Sequence, residues 1–421
     1  MKVRNIITRI VEMFDVEVPK VSKAAALKLE GHRGFSGQSI VTLSTQDWGD
    51  LWTSKQRFML QFARQGNRVL YVETQFHWVT YLRLFRKHWR RIFLFLLGAR
   101  EIEPNLFIYT PPILLPAFQI FTWINTINNF VLAIFLRLVL RKLSFKDPVL
   151  WLYTHFNQSL VKRLGCKKSL YFCVDELSAA RGLIKREVVN EQEAETLRSV
   201  DAAITTTTTL KDTRNRFNSN IHVVPNAANV SHFNKAVLGS CPEPEDLKVI
   251  PRPRLVFLGG IAYWLDLDLL RHTAKSRPHW QIIMVGPEVI DTGLLKNLEN
   301  VHFLGRKDYD RLPDYLAWCD VALNPYKVDD IARGCSPLKL YEYIAAGLPV
   351  VSSEMPEAHR FDGLVRVTTN YDDFVSGIEE ILSLGETTRA SSRHKAYEVS
   401  QKHTWENRFV EVERIVEEML V

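Results

Sequence analysis

The stretch Arg333–Val351, RGCSPLKLYEYIAAGLPVV, decides how the rest of the chain reads. Its spacing predicts a helix with Pro337 in the first turn, closed by Gly347 and Pro349 ahead of a strand. Gly334 and Ser336 make a small-residue loop that feeds the helix start. Unpaired backbone N–H groups and the positive dipole end then form an anion site, most naturally for phosphate. Lys339 adds a cation beside it. Glu342 lies one turn on, where a carboxylate can accept from two sugar hydroxyls, as a ribose diol offers. A well-capped helix with a surface Lys and Glu is the plainer reading of the same residues.

Working outward, short β-branched runs alternate with helical patterns. Ser39–Ser44, Arg68–Val72, Val149–Tyr153, Leu170–Val174, Ala202–Thr205 and Ile221–Val224 read as strands. A second series follows at Arg254–Leu258, Gln281–Val285, Val301–Leu304, Val321–Leu323 and Pro349–Ser352. This alternation predicts two tandem α/β domains with mostly parallel sheets. The expected division is a lead-in over 1–38, a first domain over 39–228, a Pro-containing linker over 229–252, a second domain over 253–400, and a terminal helix over 401–421. In that helix Trp405, Phe409, Val412, Ile415, Val416 and Met419 recur at helical spacing.

The length of 421 residues exceeds what one core usually supports, and the net charge of +7 hides a division. Before Pro225 there are 32 basic and 18 acidic residues; after it, 22 and 29. Such a basic half suits a nucleic acid, an anionic membrane or an anionic ligand, and equally a solvated surface. Five cysteines without a C-x-x-C pair argue against a disulfide framework or zinc site and fit a reducing cytoplasm. No unbroken apolar run reaches membrane-spanning length, and acids interrupt the N-terminal apolar residues, which reads as an amphipathic lead-in, not a signal peptide.

Five segments then fall in a telling order: VVPNAANVSHF (223–233), RLVFLGGIAYWLDLDLL (254–270), IIMVGP (282–287), NVHFLGRKDYDRLPDYLAWCDVALNPY (300–326) and SPLKLYEYIAAGLPVVSS (336–353). Their order resembles that of the group 1 glycosyltransferases of the GT-B fold, most closely the bacterial branch of teichuronic acid and exopolysaccharide enzymes. QDWGDLWTSKQRFMLQFARQGNRVLYVE (46–73) and LYFCVDELS (170–178) resemble the same branch. The resemblance implies two Rossmann-like domains facing a central cleft, with a C-terminal helix crossing back. The first would bind the acceptor and the second the nucleotide sugar.

Carried over, Glu342 would hold the donor ribose, and the backbone of Ser336, Pro337, Leu338 and Lys339 with the Lys339 side chain the diphosphate. Arg306 would border the base, while Gly259 and Gly260 allow close backbone approach. Two departures stand out: the second Glu that many members place eight residues earlier is Gly334, and the usual Arg/Lys clamp is replaced by GGIAYWLDLD (259–268). For the catalytic base Asp175 is favoured, directly after a strand, with Glu176 a weaker substitute and a turn aspartate the plainer alternative. His155 is placed near the transferred sugar, with a buried structural histidine as the other reading, and Asp47 and Trp48 where an acceptor sugar could stack, with a core Trp and a capping Asp as the other.

The expected donor is a UDP-sugar, with no other cofactor and no metal; Asp329 and Asp330 read as an isolated loop pair. The expected acceptor is a glycan or polyprenyl-diphosphate-linked sugar. Residues 78–97 (WVTYLRLFRKHWRRIFLFLL) and 130–142 combine cations with apolar side chains, predicting contact with the inner face of the cytoplasmic membrane. Packing of both helices on the core is the competing account. No nucleic-acid-reading motif is present. The alternative function is a catalytically impaired GT-B subunit that binds lipid or a partner.

Overall fold

The computed structural model describes residues 27, 29 and 34–421 apart from 50, 51, 84, 86–88, 180, 181 and 183. Most of the 1–38 lead-in therefore lies outside the described residues. The chain forms two compact units, 1–224 with 409–421, and 225–408.

The first unit carries eight strands: β1 (Ser39–Leu43), β2 (Arg68–Val72), β3 (Arg100–Glu103), β4 (Leu106–Tyr109), β5 (Val149–Leu152), β6 (Lys168–Cys173), β7 (Ala202–Thr205) and β8 (Ile221–Val223). Their order is β3-β4-β2-β1-β5-β6-β7-β8, parallel except for the β3–β4 pair. The chain leaves β1 for one side of the sheet and returns to the other at β5, so the topological switch point lies between these two strands. β3 and β4 escaped the sequence reading. Asn105, with φ 68°, makes the left-handed turn that pairs them.

The second unit holds β9 (Arg254–Leu258), β10 (Gln281–Val285), β11 (Val301–Gly305), β12 (Val321–Asn324), β13 (Val350–Ser353) and β14 (Val365–Thr368). The order β11-β10-β9-β12-β13-β14 is wholly parallel, with its switch point between β9 and β12. The expected linker is not a tether: Val230, Phe233, Leu247 and Ile250 are buried in this unit's core beside Leu340 and Ile344. Apolar residues among the prolines and polar groups gave it something to bury, and burial won.

The terminal helix Trp405–Leu420 begins in the second unit, and from Phe409 onward belongs to the first. Phe409, Val412, Ile415, Val416 and Met419 are all buried, as their spacing predicts. Phe409 packs on Phe62 and Phe58 with ring centroids 4.7 and 6.0 Å apart.

Candidate active site

In the first unit, Asp175 follows β6 and is solvent-accessible. The surrounding protein nonetheless disfavours its charge and pushes the carboxyl up to about 6, against the opposing pull of Lys55; water reaching the side chain tempers that push. Glu176 has a different task. It accepts from Arg214 at 2.9 Å and from the Ser178 hydroxyl at 2.8 Å. Burial works to raise its carboxyl, but these donors outweigh burial and hold it low. Arg214 also pairs with Glu193 at 2.9 Å, so Glu176 belongs to a structural cluster and is no substitute base.

Trp48 and Asp47, expected at the acceptor, and His155, expected near the transferred sugar, make other contacts. Trp48 is a core residue, 4% exposed, edge-on to Trp52 and Tyr71 at 5.2 and 5.0 Å. Its ring offers no face for a sugar. Asp47 cross-links loops: its carboxylate accepts from Arg91 at 2.6 Å and from the Thr74 amide at 3.1 Å. His155 is buried, with Nε2 3.1 Å from the Gln119 amide nitrogen, and desolvation lowers its pKa to about 4, leaving the imidazole neutral. Alternating sequence patterns place residues after strands but cannot say whether a loop side chain turns inward, and Trp48 and His155 turned inward.

In the second unit, the helix spans Leu338–Ala345, with Pro337 preceding it as the N-cap instead of lying in its first turn. A short helix, Asp330–Gly334, replaces most of the expected loop, and Asp329 caps it by accepting from the Ala332 amide at 3.0 Å. The Leu340 amide already bonds Pro337 O at 3.2 Å, so the helix-end amides left to an anion are those of Leu338 and Lys339. Lys339 Nζ and Glu342 Oε2 pair at 2.8 Å, with Glu342 buried.

The glycines after the strands make room for this. A Cβ on Gly259 (φ 139°) would lie 3.2 Å from Lys339 Cε, whereas one on Gly260 meets open space. Gly286 (φ 151°), after β10, is tighter still: its Cβ would fall 1.8 Å from Gly259 O. Its role escaped the sequence reading, although IIMVGP contains it. Tyr343 fixes the helix over β9 by accepting from the Leu258 amide at 2.8 Å. Arg306, just beyond β11, is exposed.

Ser336 does not offer its side chain to a ligand. Its hydroxyl accepts from the Asn226 amide at 3.3 Å and lies 3.2 Å from Glu357 Oε1, while its carbonyl accepts from Asn226 Nδ2 at 2.6 Å. Tyr341 and Arg360 also donate to Glu357. Burial raises the Glu357 carboxyl in spite of these partners. The network fastens the loop before the helix to Asn226, which explains why PNAAN and SPLK occur in one unit though 110 residues apart.

Residues 252–384 match the family model for group 1 glycosyl transferases. These residues form a group 1 glycosyltransferase domain. Over 110 residues the chain is also 34% identical to the teichuronic acid biosynthesis glycosyltransferase TuaH of Bacillus subtilis (strain 168); the match covers 25% of this chain and 28% of that relative's length. Among solved structures, the sucrose-phosphate synthase of Thermosynechococcus elongatus superposes with a TM-score of 0.66 at 15% identity, over 91% of this chain and 99% of that one. A UDP-forming trehalose-phosphate synthase of Burkholderia xenovorans gives 0.67 at 12%, over 91% and 100%. Anabaena HepE, in complex with UDP and glucose, gives 0.60 at 13%, over 91% and 99%. The fold is GT-B.

Within the glycosyltransferase domain, both departures persist in three dimensions. Gly334 is buried at the end of its short helix, and no carboxylate stands there. The GGIAYWLDLD segment contributes Asp266 as the cap of helix Leu267–Ser276, accepting from the Leu269 amide at 3.0 Å, and no cation. Arg333 lies 3.6 Å from Asp330. Lys339 is a cation that the domain holds in the first turn of the helix. Among the described residues, no group of three or more metal-ligating side chains is assembled.

Proposed function

We propose that the chain is a nucleotide-sugar-dependent glycosyltransferase, with a UDP-sugar as donor and a glycan or polyprenyl-diphosphate-linked sugar as acceptor in bacterial cell-surface polysaccharide synthesis. The observation that carries the donor half is the Lys339–Glu342 pair at a helix start over the Gly259 turn. The relative in teichuronic acid biosynthesis supports the polysaccharide role, and the neighbour complexed with UDP and glucose supports the choice of nucleotide. Asp175 accepts the acceptor hydroxyl's proton as that oxygen bonds the anomeric carbon; the bond to the diphosphate breaks, and the departing oxygen keeps the electron pair. The amides of Leu338 and Lys339 and the Lys339 ammonium receive the charge that develops.

A thermal-shift panel of UDP, GDP, TDP and CMP tests the donor site. UDP should stabilise the protein, and Glu342→Ala should weaken UDP about tenfold or more, the loss of a charged hydrogen-bonding partner. Indifference to every nucleotide sinks the assignment. UDP binding without turnover of any sugar nucleotide would favour the alternative, a binding subunit.

The proposed location is the inner face of the cytoplasmic membrane, and helix Thr122–Lys142 supports it. The helix is long and apolar enough to cross a membrane by length and composition. Its buried face, however, uses Asn125, Asn128 and Asn129 to bond Phe156 O, Leu115 and Asn157, which ties it to its own unit. The opposite face exposes Trp123, Ile127, Phe130, Ile134 and Leu138, one stripe at helical spacing, and the helix ends in Arg141 and Lys142. Of the expected 78–97 helix, Trp78–Arg83, Phe85 and Arg91–Leu97 are helical among the described residues and a turn at 89–90 interrupts it, with Trp78, Val79 and Leu82 exposed. Arg91 is buried on Asp47 and cannot reach lipid, while Arg86 and Lys87 lie outside the described residues. A stripe of this kind immerses in the headgroup layer, with cations on lipid phosphates worth about 1 kcal/mol each. Arg141→Glu with Lys142→Glu should therefore cut co-sedimentation with phosphatidylserine liposomes about tenfold or more. Equal binding by both proteins removes the idea.

A further inference from the structure

Lys55 occupies a place that stability alone does not favour. It is the second residue of helix Ser54–Arg64, whose capping residue Thr53 donates its amide to Gln56 Oε1 at 3.2 Å. A cation there faces the positive end of the helix dipole. The residue is also 7% exposed, so its charge is largely stripped of water. No described group accepts a hydrogen bond from Nζ or forms an ion pair with it. The compensation is indirect: Nζ lies 5.6 Å from the centroid of the Tyr153 ring, within cation–π range, and Asp175 is the charge it feels.

The topology explains how these three meet. Lys55 begins the helix that follows β1, Tyr153 directly follows β5, and Asp175 follows β6, so all stand at the carboxyl edge of neighbouring strands beside the first unit's switch point. The other charges nearby are spent elsewhere: Glu176 and Glu193 on Arg214, and Asp47 on Arg91. A buried cation without a described hydrogen-bond partner, on the same strand-end edge as an accessible carboxylate, breaks local rules in the way functional sites do.

We propose that Lys55 is a positioning residue for Asp175, its ammonium keeping the carboxylate charged and ready to take the acceptor's proton. This rests on Asp175 as the base. The electrostatics agree in direction on both sides: desolvation lowers Lys55 to about 8 while Asp175 opposes that fall, and Lys55 opposes the rise of Asp175. With one residue poised near 6 and the other near 8, neutral pH lies where both are charged.

The test is a carboxyl-carbon NMR titration of Asp175 in the ligand-free full chain, comparing wild type, Lys55→Met and Lys55→Arg. Removing the ammonium should move the Asp175 midpoint upward by about one pH unit, and arginine should restore it. Hydrolysis of UDP-glucose, followed against pH, should fall about fivefold in Lys55→Met near pH 6 and hardly at all near pH 8. A uniform loss across pH, or an unmoved Asp175 midpoint, overturns the inference. Should Lys55→Met not fold, Asp175→Asn gives the reciprocal reading, because coupling is symmetric: the Lys55 amine must then titrate lower than in wild type, and an unchanged amine overturns the inference as well. Turnover retained by Asp175→Asn would remove the base reading itself, whereas turnover lost there with an unmoved Asp175 midpoint in Lys55→Met would remove only the role of Lys55.

Discussion

Replacing Asp175 with asparagine should lower sugar transfer by roughly 10²–10⁴-fold, the usual contribution of a positioned general base, while UDP affinity stays near wild type. The two readouts separate because Asp175 belongs to the first unit and the donor residues to the second. In the wild-type protein kcat/KM should fall as pH drops through about 6, where the carboxyl takes up its proton. Stability should move the other way. The carboxyl's pKa is raised on folding, from 3.8 to about 6, so the native state binds the proton more tightly than the unfolded chain. That contribution is full below the unfolded value and is lost as pH rises through the folded one. Asp175→Asn should therefore raise the melting temperature at pH 7 and leave it nearly unchanged at pH 3.5, by an amount reduced by water's access to the side chain. Equal melting shifts at both pH values, or retained transfer, would contradict the assignment.

Gly286→Ala should destabilise the glycosyltransferase domain by roughly 3 kcal/mol or more, enough to deplete soluble protein at 37 °C. The added Cβ would sit 1.8 Å from the carbonyl oxygen of Gly259, a backbone atom that cannot rotate aside, and φ of 151° is a region L side chains rarely adopt. The damage spreads along one chain of contacts. Gly286 donates its amide to Gly305 O at 2.9 Å, Gly259 donates to Val285 O at 2.8 Å, and Lys339 lies against Gly259. Any protein that survives should bind UDP weakly, as the turn beneath Lys339 is displaced. Gly260→Ala, whose Cβ meets open space, is the matched control and should melt within about 0.5 kcal/mol of wild type. Equal melting of the two variants would show that the turn is not as tight as the geometry has it.

Much of the fold was legible because its signals are local. Strands read from β-branched runs matched β1, β2, β5 to β8 and β9 to β13 within a residue or two, and the terminal helix matched its apolar period. The strands that went unread, β3, β4 and β14, are no shorter than β7 or β12, which were read; β3, with the sequence REIE, and β4, with LFIY, lack a β-branched run. The donor helix was legible for the same local reason: Pro337 and Gly347 punctuate it, and Gly347 has the left-handed φ of 64° that closes a helix.

What the sequence by itself determined was thus the pair of parallel sheets, the anion-ready helix at 338–345, and the chemical types that could serve a sugar nucleotide. Tertiary structure alone decided which way loop side chains face. It buried Trp48 and His155, tied Asp47 to Arg91 and Glu176 to Arg214, and turned the Ser336 hydroxyl toward Asn226 and Glu357. It also brought Lys55 against the Tyr153 ring, on the strand-end edge that carries Asp175. The physical reason is one of range. Strand and helix periods are set by backbone geometry within a few residues, whereas the burial and charge of a loop side chain depend on what distant segments pack around it.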